Sequence, residues 1–476
     1  MNIKLVLNFL GRILIYYSGI LIIPILIAFY YKEDYIPFIV SMGVSVITGI
    51  LFIILKPESE VFRYKEGLAI VGLGWFLVSL IGSLPFAFTD VHPVDAFFES
   101  MSGFTTTGAT IFDSIEKLPV SILFWRSFIQ WLGGMGIIAL FVAIFPAMAA
   151  RSEALFHAEY PGVTLEKLKP RLEDTAMILY VIYLFYTLLE VVILYLLGVS
   201  PGDAFFHALT TLPTGGFSNH TSSIAYFNNP VVEAVIVLFM IAAGTNFALH
   251  YYLLRHGRPM YRDPEFRVYI LILLIGSILI ILLNMGIFGF FDSVRYSVFQ
   301  VVSIATTTGY TTSDFDAWSS GSKVILLSLM FIGGSSGSTA GGIKVLRIYL
   351  LVRYAILQIL KVAEPRTARI VKYGENVIKK DILDETAAFF VLYIMIFAVS
   401  SVIIAISGYD FLTSVSSVAA CLGNVGPAMG LAGASESYSF FPYHIKIVLA
   451  MNMWIGRLEI FTVLALFIPQ FWMKKW

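Results

Sequence analysis

Long apolar runs alternate with short polar stretches along the whole chain. Ten runs stand out, at about 7–31, 36–55, 67–88, 120–147, 173–198, 230–254, 265–290, 322–350, 384–407 and 444–472. Each can cross a bilayer as a helix, which takes about 20 apolar residues. Within the last four pairs of runs lies a shorter, half-apolar segment of about 12–15 residues ending in Thr and Gly, too short to cross. Such segments suit short helices that enter from one face and turn back. The pattern therefore predicts an all-α integral membrane protein of ten transmembrane helices. Two N-terminal peripheral helices (1–62) precede four units of span, re-entrant loop and second span. These units occupy 63–165, 166–262, 263–380 and 381–476, the third with a broken second helix.

Composition agrees. Of 476 residues, 58% are hydrophobic and 13% charged, and mean hydropathy is +0.85. A soluble chain carries about 25% charged residues. The net charge of zero gives no reason to expect a nucleic-acid partner. Reading loops against spans, 24 Lys and Arg fall on one side and six on the other, with Arg457 inside a span. That bias marks the first side as cytoplasmic, with both termini there. The first apolar run has no small-residue cleavage site, so it reads as a retained span. Cys421 is the single cysteine, which excludes an intrachain disulfide.

The four units share a register. Asp95-Ala-Phe-Phe-Glu-Ser-Met-Ser-Gly-Phe-Thr-Thr-Thr-Gly-Ala-Thr110 matches, without a gap, segments beginning at Asp203, Tyr296 and Thr413. These registers align Gly108, Gly216, Gly309 and Gly426. An even number of crossings per unit keeps the units parallel, so the four turns can surround an axis along the membrane normal. Irregular backbone at membrane depth is tolerated only when buried in protein or lining a wet cavity. Glycine there permits positive φ, which lets successive carbonyls face one side. Four such strands supply rings of neutral oxygens able to replace an ion's water shell. The candidate filter residues are Thr106, Thr107, Gly108, Thr214, Gly215, Gly216, Thr307, Thr308, Gly309, Asn424, Val425 and Gly426. Asp95 and Asp203 stand where they would cap the short helices, whose partially negative C-terminal ends would favour a cation.

Two further features interrupt the apolar pattern. Residues 333–343, rich in Gly, Ser and Thr, would fray the second helix of the third unit. The stretch reads either as a bulge into the pathway below the filter or as a close-packing patch. Arg457 lies midway in the last span, where a charge is costly. It reads either as an ion pair with Glu459 or as a charge bordering the conduction path. Glu190, also inside a span, reads as a carboxyl satisfied by a neighbouring unit. His207, His250 and His444 lie in different units without metal-ligand spacing. Gly341-Gly-Ile-Lys344 lacks P-loop spacing, and no residue set suggests an organic cofactor or an enzyme. The basic linker 344–380, with Arg347, Arg353, Arg366, Arg369 and Lys372, has no obvious acidic partner in the chain and suits lipid head groups.

The chain resembles the Trk/Ktr/HKT superfamily of K⁺ transport proteins, in its bacterial TrkH-type branch, over nearly its whole length. The resemblance rests on Ser102-Gly-Phe-Thr-Thr-Thr-Gly-Ala109, Pro213-Thr-Gly-Gly-Phe217, Thr306-Thr-Thr-Gly-Tyr310, Gly423-Asn-Val-Gly-Pro427, the stretch Gly333–Lys344 and Gly456-Arg-Leu-Glu-Ile-Phe-Thr462. The two extra N-terminal spans favour this branch over the shorter KtrB type. In plant relatives a Ser in the first filter accompanies Na⁺ transport; Gly108 is the K⁺-type residue. The fourth loop departs from the others in having Asn424-Val425. The resemblance implies K⁺ as the transported ion and a channel-like uptake path. It also implies an intramembrane gate formed by Gly334, Ser335, Ser336, Gly337, Ser338, Thr339 and Gly341, with Arg457 beneath the filter. It further implies a homodimer in the cell inner membrane, seated on a cytosolic TrkA-type nucleotide-binding ring. The alternative expectation is a K⁺ symporter coupled to H⁺ or Na⁺.

Overall fold

The computed structural model describes residues 1–57, 63–149, 172–364, 370–374 and 376–473. Arg366 and Arg369 of the basic linker lie outside them, as do the expected unit boundaries near 62 and 165. Every predicted run contains helix, and the protein is a multi-span membrane protein.

The first span is α1 (Ile3–Ile20) continued by α2 (Ile22–Tyr31), and the second is α3 (Ile36–Ile54). Small residues let α1 and α3 touch: a Cβ on Gly11 would lie 2.6 Å from the Gly49 carbonyl oxygen. The third span is α4 (Tyr64–Gly82) with the single turn α5 (Leu84–Ala87), followed by the re-entrant α6 (Pro93–Phe104) and α7 (Val120–Ala149). Next come α8 (Leu172–Leu196), the re-entrant α9 (Pro201–Thr211), and α10 (Pro230–Ala243) with α11 (Phe247–His256). The third repeat of the pattern comprises α12 (Pro264–Phe288), the re-entrant α13 (Phe290–Ala305), α14 (Ser320–Ile332) and α15 (Val345–Ala363). The last comprises α16 (Lys380–Ile406), the re-entrant α17 (Phe411–Leu422), α18 (Tyr443–Arg457), α19 (Ile460–Leu466) and the terminal turn α20 (Pro469–Trp472). Among the described residues, six spans pass on length and hydropathy, or up to eight when each bent pair counts as one. A small hairpin, Lys372–Tyr373 paired antiparallel with Asn376–Val377, is an addition to the all-α reading.

Two expectations are corrected. The expected caps Asp95 and Asp203 stand inside the first turns, because Pro93 and Pro201 start the helices two residues earlier. His92 and Ser200 are the caps; their side chains accept from Val94 N and Asp203 N. Asp95 instead takes the Lys446 ammonium at 2.5 Å. The second correction concerns breaks. A broken second helix was expected in the third unit alone, yet α10 and α11 meet at 96° and α18 and α19 at 119°. Asn246 explains the first bend, since its carboxamide accepts from Ala248 N at 2.8 Å and starts a new helix. At the second, Glu459 has φ of +64°.

Candidate functional site

Each re-entrant helix ends in the same turn. Thr106 N donates to Gly103 O and Thr107 N to Ser102 O, at 2.9 and 2.8 Å. The same two bonds recur as Thr214 N to Thr211 O and Gly215 N to Thr210 O, then as Thr307 N to Ile304 O and Thr308 N to Ser303 O. They recur again as Asn424 N to Cys421 O and Val425 N to Ala420 O. Positive φ then falls on alternate residues: Thr106 and Gly108, Thr214 and Gly216, Thr307 and Gly309, Asn424 and Gly426. Asn tolerates that conformation better than most residues, so the divergent fourth loop keeps the backbone of the other three.

The loops close into a ring in chain order. A Cβ on Gly108 would run into the carbonyl oxygen of Gly215, one on Gly216 into that of Thr308, one on Gly309 into that of Val425, and one on Gly426 into that of Thr107. Each glycine thus lies against the carbonyl preceding the next glycine, and the fourth returns to the first. All four glycines line one cavity of about 190 Å³.

Side chains behind the ring hold the strands. The Thr105 and Thr107 hydroxyls lie 2.8 Å apart, and those of Thr306 and Thr308 repeat the pair at 2.8 Å. Gln130 of α7 donates to Gly215 O at 2.7 Å and accepts from Phe217 N at 3.0 Å. The Asn424 amide donates to Thr107 Oγ1 and Met453 O, both at 2.9 Å. Over the cavity, Thr221 N and Oγ1 donate to the Glu116 carboxylate at 2.7 and 2.5 Å. Partial burial pushes the Glu116 pKa up, but these two bonds outweigh it and hold it below the usual value.

On the opposite side from this cavity, the glycine-rich stretch leaves helical form between α14 and α15 and folds into a buried loop. Gly341 N donates to Thr307 Oγ1 at 2.7 Å, and Thr339 Oγ1 donates to Leu212 O at 2.8 Å. Ser335 N reaches Gly244 O at 2.9 Å, and Ser336 N reaches the buried Glu265 carboxylate at 2.6 Å. A Cβ on Gly341 would strike the Gly423 carbonyl oxygen. The loop therefore touches the second, third and fourth ring segments. Arg457 is 4% exposed and donates through Nη1 to Thr339 O at 2.6 Å. Its Nε and Nη2 have no hydrogen-bond partner among the described residues. The expected pair with Glu459 does not form, because Glu459 takes Arg347 at 2.8 Å. That same contact corrects the expectation that Arg347 lacks an acidic partner. Glu190 is not satisfied by a neighbour either. It is fully buried beside Thr211, and neither carboxylate oxygen has a hydrogen bond among the described residues.

Comparison with known proteins is decisive for the family. The TrkH profile, described as a cation transport protein, matches residues 38–474. The chain belongs to the TrkH family. It is 36% identical over 485 residues to the Trk system potassium uptake protein TrkH of Halomonas elongata, covering 100% of both chains. Its identity to the Escherichia coli K12 protein of that name is 36% over 486 residues, 99% of this chain and 100% of the other. The crystal structure of the potassium transporter TrkH from Vibrio parahaemolyticus superposes with a TM-score of 0.90 at 35% identity, over 99% of this chain and 100% of that one. Family and relatives are transport proteins rather than enzymes.

In this TrkH-family chain the ring residues are legible from the repeat, whereas their supports are not. Glu99, His207, Gln300 and Ser417 occupy one position in the four re-entrant helices under the repeat offsets. Glu99 accepts from Thr110 Oγ1 and Ile111 N, His207 Nε2 pairs with Ser218 Oγ, and Gln300 donates to Tyr310 O. A polar residue recurring at one position of otherwise apolar helices was the available signal. Arg126, one of the six basic residues assigned from sequence to the side opposite the cytoplasm, is instead buried in α7 against Glu99.

Proposed function

We propose that this chain carries K⁺ into the cell through a channel-like pathway in the cell inner membrane. The observation that carries the reading is the closed ring in which each of four glycines abuts the carbonyl before the next. In this reading the four M1–P-loop–M2 units, at 63–165, 166–262, 263–380 and 381–476, surround one pore, and residues 1–62 flank it. The ring faces outward and both termini face the cytoplasm, following the basic-residue bias. K⁺ sheds water against oxygens of Thr106, Thr107, Gly108, Thr214, Gly215, Gly216, Thr307, Thr308, Gly309, Asn424, Val425 and Gly426. The loop containing Gly334, Ser335, Ser336, Gly337, Ser338, Thr339 and Gly341 is the gate, since it is bonded to the inner end of the ring. Arg457, held to that loop, places an uncompensated positive charge beside the path.

K⁺ is the cargo, and we propose no organic cofactor. The partners in this reading are membrane lipid, a second copy of the chain, and a cytosolic TrkA-type nucleotide-binding ring that acts on the gate. Inward flux then follows the membrane potential, which supplies about 2.3 kcal/mol per charge per 100 mV. In liposomes, K⁺ uptake by the purified chain should rise with an inside-negative potential and proceed without a second ion. Strict dependence of K⁺ uptake on an H⁺ or Na⁺ gradient would replace the channel-like reading with symport.

A further inference from the structure

The ring is close to fourfold in its backbone but not in what stands behind it. Beyond the first three glycines the strand is held by the side chain at one position of the re-entrant helix, Glu99, His207 or Gln300, and only in the first unit is that side chain charged; Ser417, at the same position in the fourth, has no hydrogen-bond partner among the described residues. Glu99 is fully buried, and its partner Arg126 is 1% exposed. The guanidinium uses all three nitrogens. Nε donates to Glu99 Oε1 at 2.8 Å, Nη1 to Ser218 O at 2.8 Å, and Nη2 to Thr110 Oγ1 at 3.2 Å. It also stacks over the Phe217 ring, 4.2 Å from the centroid. Glu99 in turn accepts from Thr110 Oγ1 at 3.1 Å and Ile111 N at 2.9 Å. Thr110 and Ser218 each stand two residues beyond a ring glycine, Gly108 and Gly216. One rigid group thus binds the first strand to the second.

A buried ion pair is an expensive way to gain stability, since desolvation offsets most of the attraction. What it supplies here is geometry: a planar donor set that accepts one arrangement of its partners. Resting on the reading of the ring as a K⁺ filter, we propose that the Arg126–Glu99 pair is a positioning element that sets ion selectivity by fixing the spacing between the first two filter strands. Lysine in place of Arg126 would keep the charge opposite Glu99 but could not also reach Ser218 O and Thr110 Oγ1.

The test is the K⁺/Na⁺ flux ratio of the full-length protein in liposomes, with thermal melting measured in parallel. Arg126→Lys should lower the ratio by about fivefold or more, the factor one lost buried hydrogen bond is worth. Thr110→Val, which removes a smaller part of the same network, should lower it in the same direction, and it decides the matter if Arg126→Lys does not fold. Asp95→Asn breaks a different ion pair on the same re-entrant helix, at its far end, and should leave the ratio unchanged. Folded Arg126→Lys and Thr110→Val proteins as selective as a K⁺-selective wild type would overturn this inference alone. A ratio that falls equally in Asp95→Asn would also overturn it, by reducing the effect to general loosening. A wild type with no preference for K⁺ would overturn the filter reading and this inference together.

Discussion

Deleting Ser335–Thr339 is expected to raise K⁺ flux in liposomes by about tenfold while the protein still folds. The bonds that seat the loop include Gly341 N to Thr307 Oγ1, Thr339 Oγ1 to Leu212 O, Ser336 N to Glu265, Ser335 N to Gly244 O, Phe247 N to Gly337 O, and Arg457 to Thr339 O. Each is worth about 1 kcal/mol net, more where a charge is involved. A seated state favoured by about 1.4 kcal/mol over an unseated one corresponds to a tenfold difference in population. Removing the segment abolishes the seated state, so flux should rise toward the limit set by the ring. The loop does not span between distant elements of the fold; it fills the space between α14 and α15 against the ring. Its loss therefore opens a path without dismantling a helix. Unchanged or reduced flux in a folded deletion protein would remove the gate from the account.

Replacing Arg457 by alanine should also have a large effect, in the same direction. Two unit charges about 8 Å apart repel by about 2 kcal/mol at an effective dielectric constant near 20. A buried guanidinium with one hydrogen bond and no carboxylate partner among the described residues would impose that penalty on a cation in the inner part of the proposed path. Arg457→Ala should lower the KM for K⁺ or raise the uptake rate by about tenfold or more. Stability should hold, because the substitution removes an unpaired buried charge rather than half of an ion pair. Wild-type uptake kinetics in the folded variant would show that Arg457 lies away from the path.

The ring was legible in the sequence because repetition exposes it. Gly108, Gly216, Gly309 and Gly426 fall into register under three offsets, and the structure places those same residues around one cavity. The apolar spans were legible for a similar reason, since length and hydropathy mark six of them among the described residues, or up to eight with the bent pairs. Breaks were harder. Residues 333–343 announce themselves by a cluster of Gly and Ser, whereas the bend before α11 turns on one Asn and the bend before α19 on one Glu, each inside an apolar run. Charge partners were harder still. Arg126 and Glu99 are 27 residues apart, and no periodicity links them; only the packing of α7 on α6 brings them together. Glu459 is near Arg457 in the sequence, and only the fold gives it to Arg347 instead.

The most direct test of the central claim, that four glycine turns form a K⁺ filter, is the K⁺/Na⁺ flux ratio of wild type beside Gly108→Ser. Gly108 has φ of +86°, and a side chain there would press on the Gly215 carbonyl oxygen. The left-handed region costs an L-residue about 1–2 kcal/mol before any overlap is counted. The substitution should therefore move ring oxygens while leaving the helices in place. The account predicts a wild type that passes K⁺ in strong preference to Na⁺, and a Gly108→Ser protein whose ratio falls by about tenfold, the equivalent of 1.4 kcal/mol. Equal K⁺ and Na⁺ flux through the wild type, or an unchanged ratio in the folded variant, would contradict it.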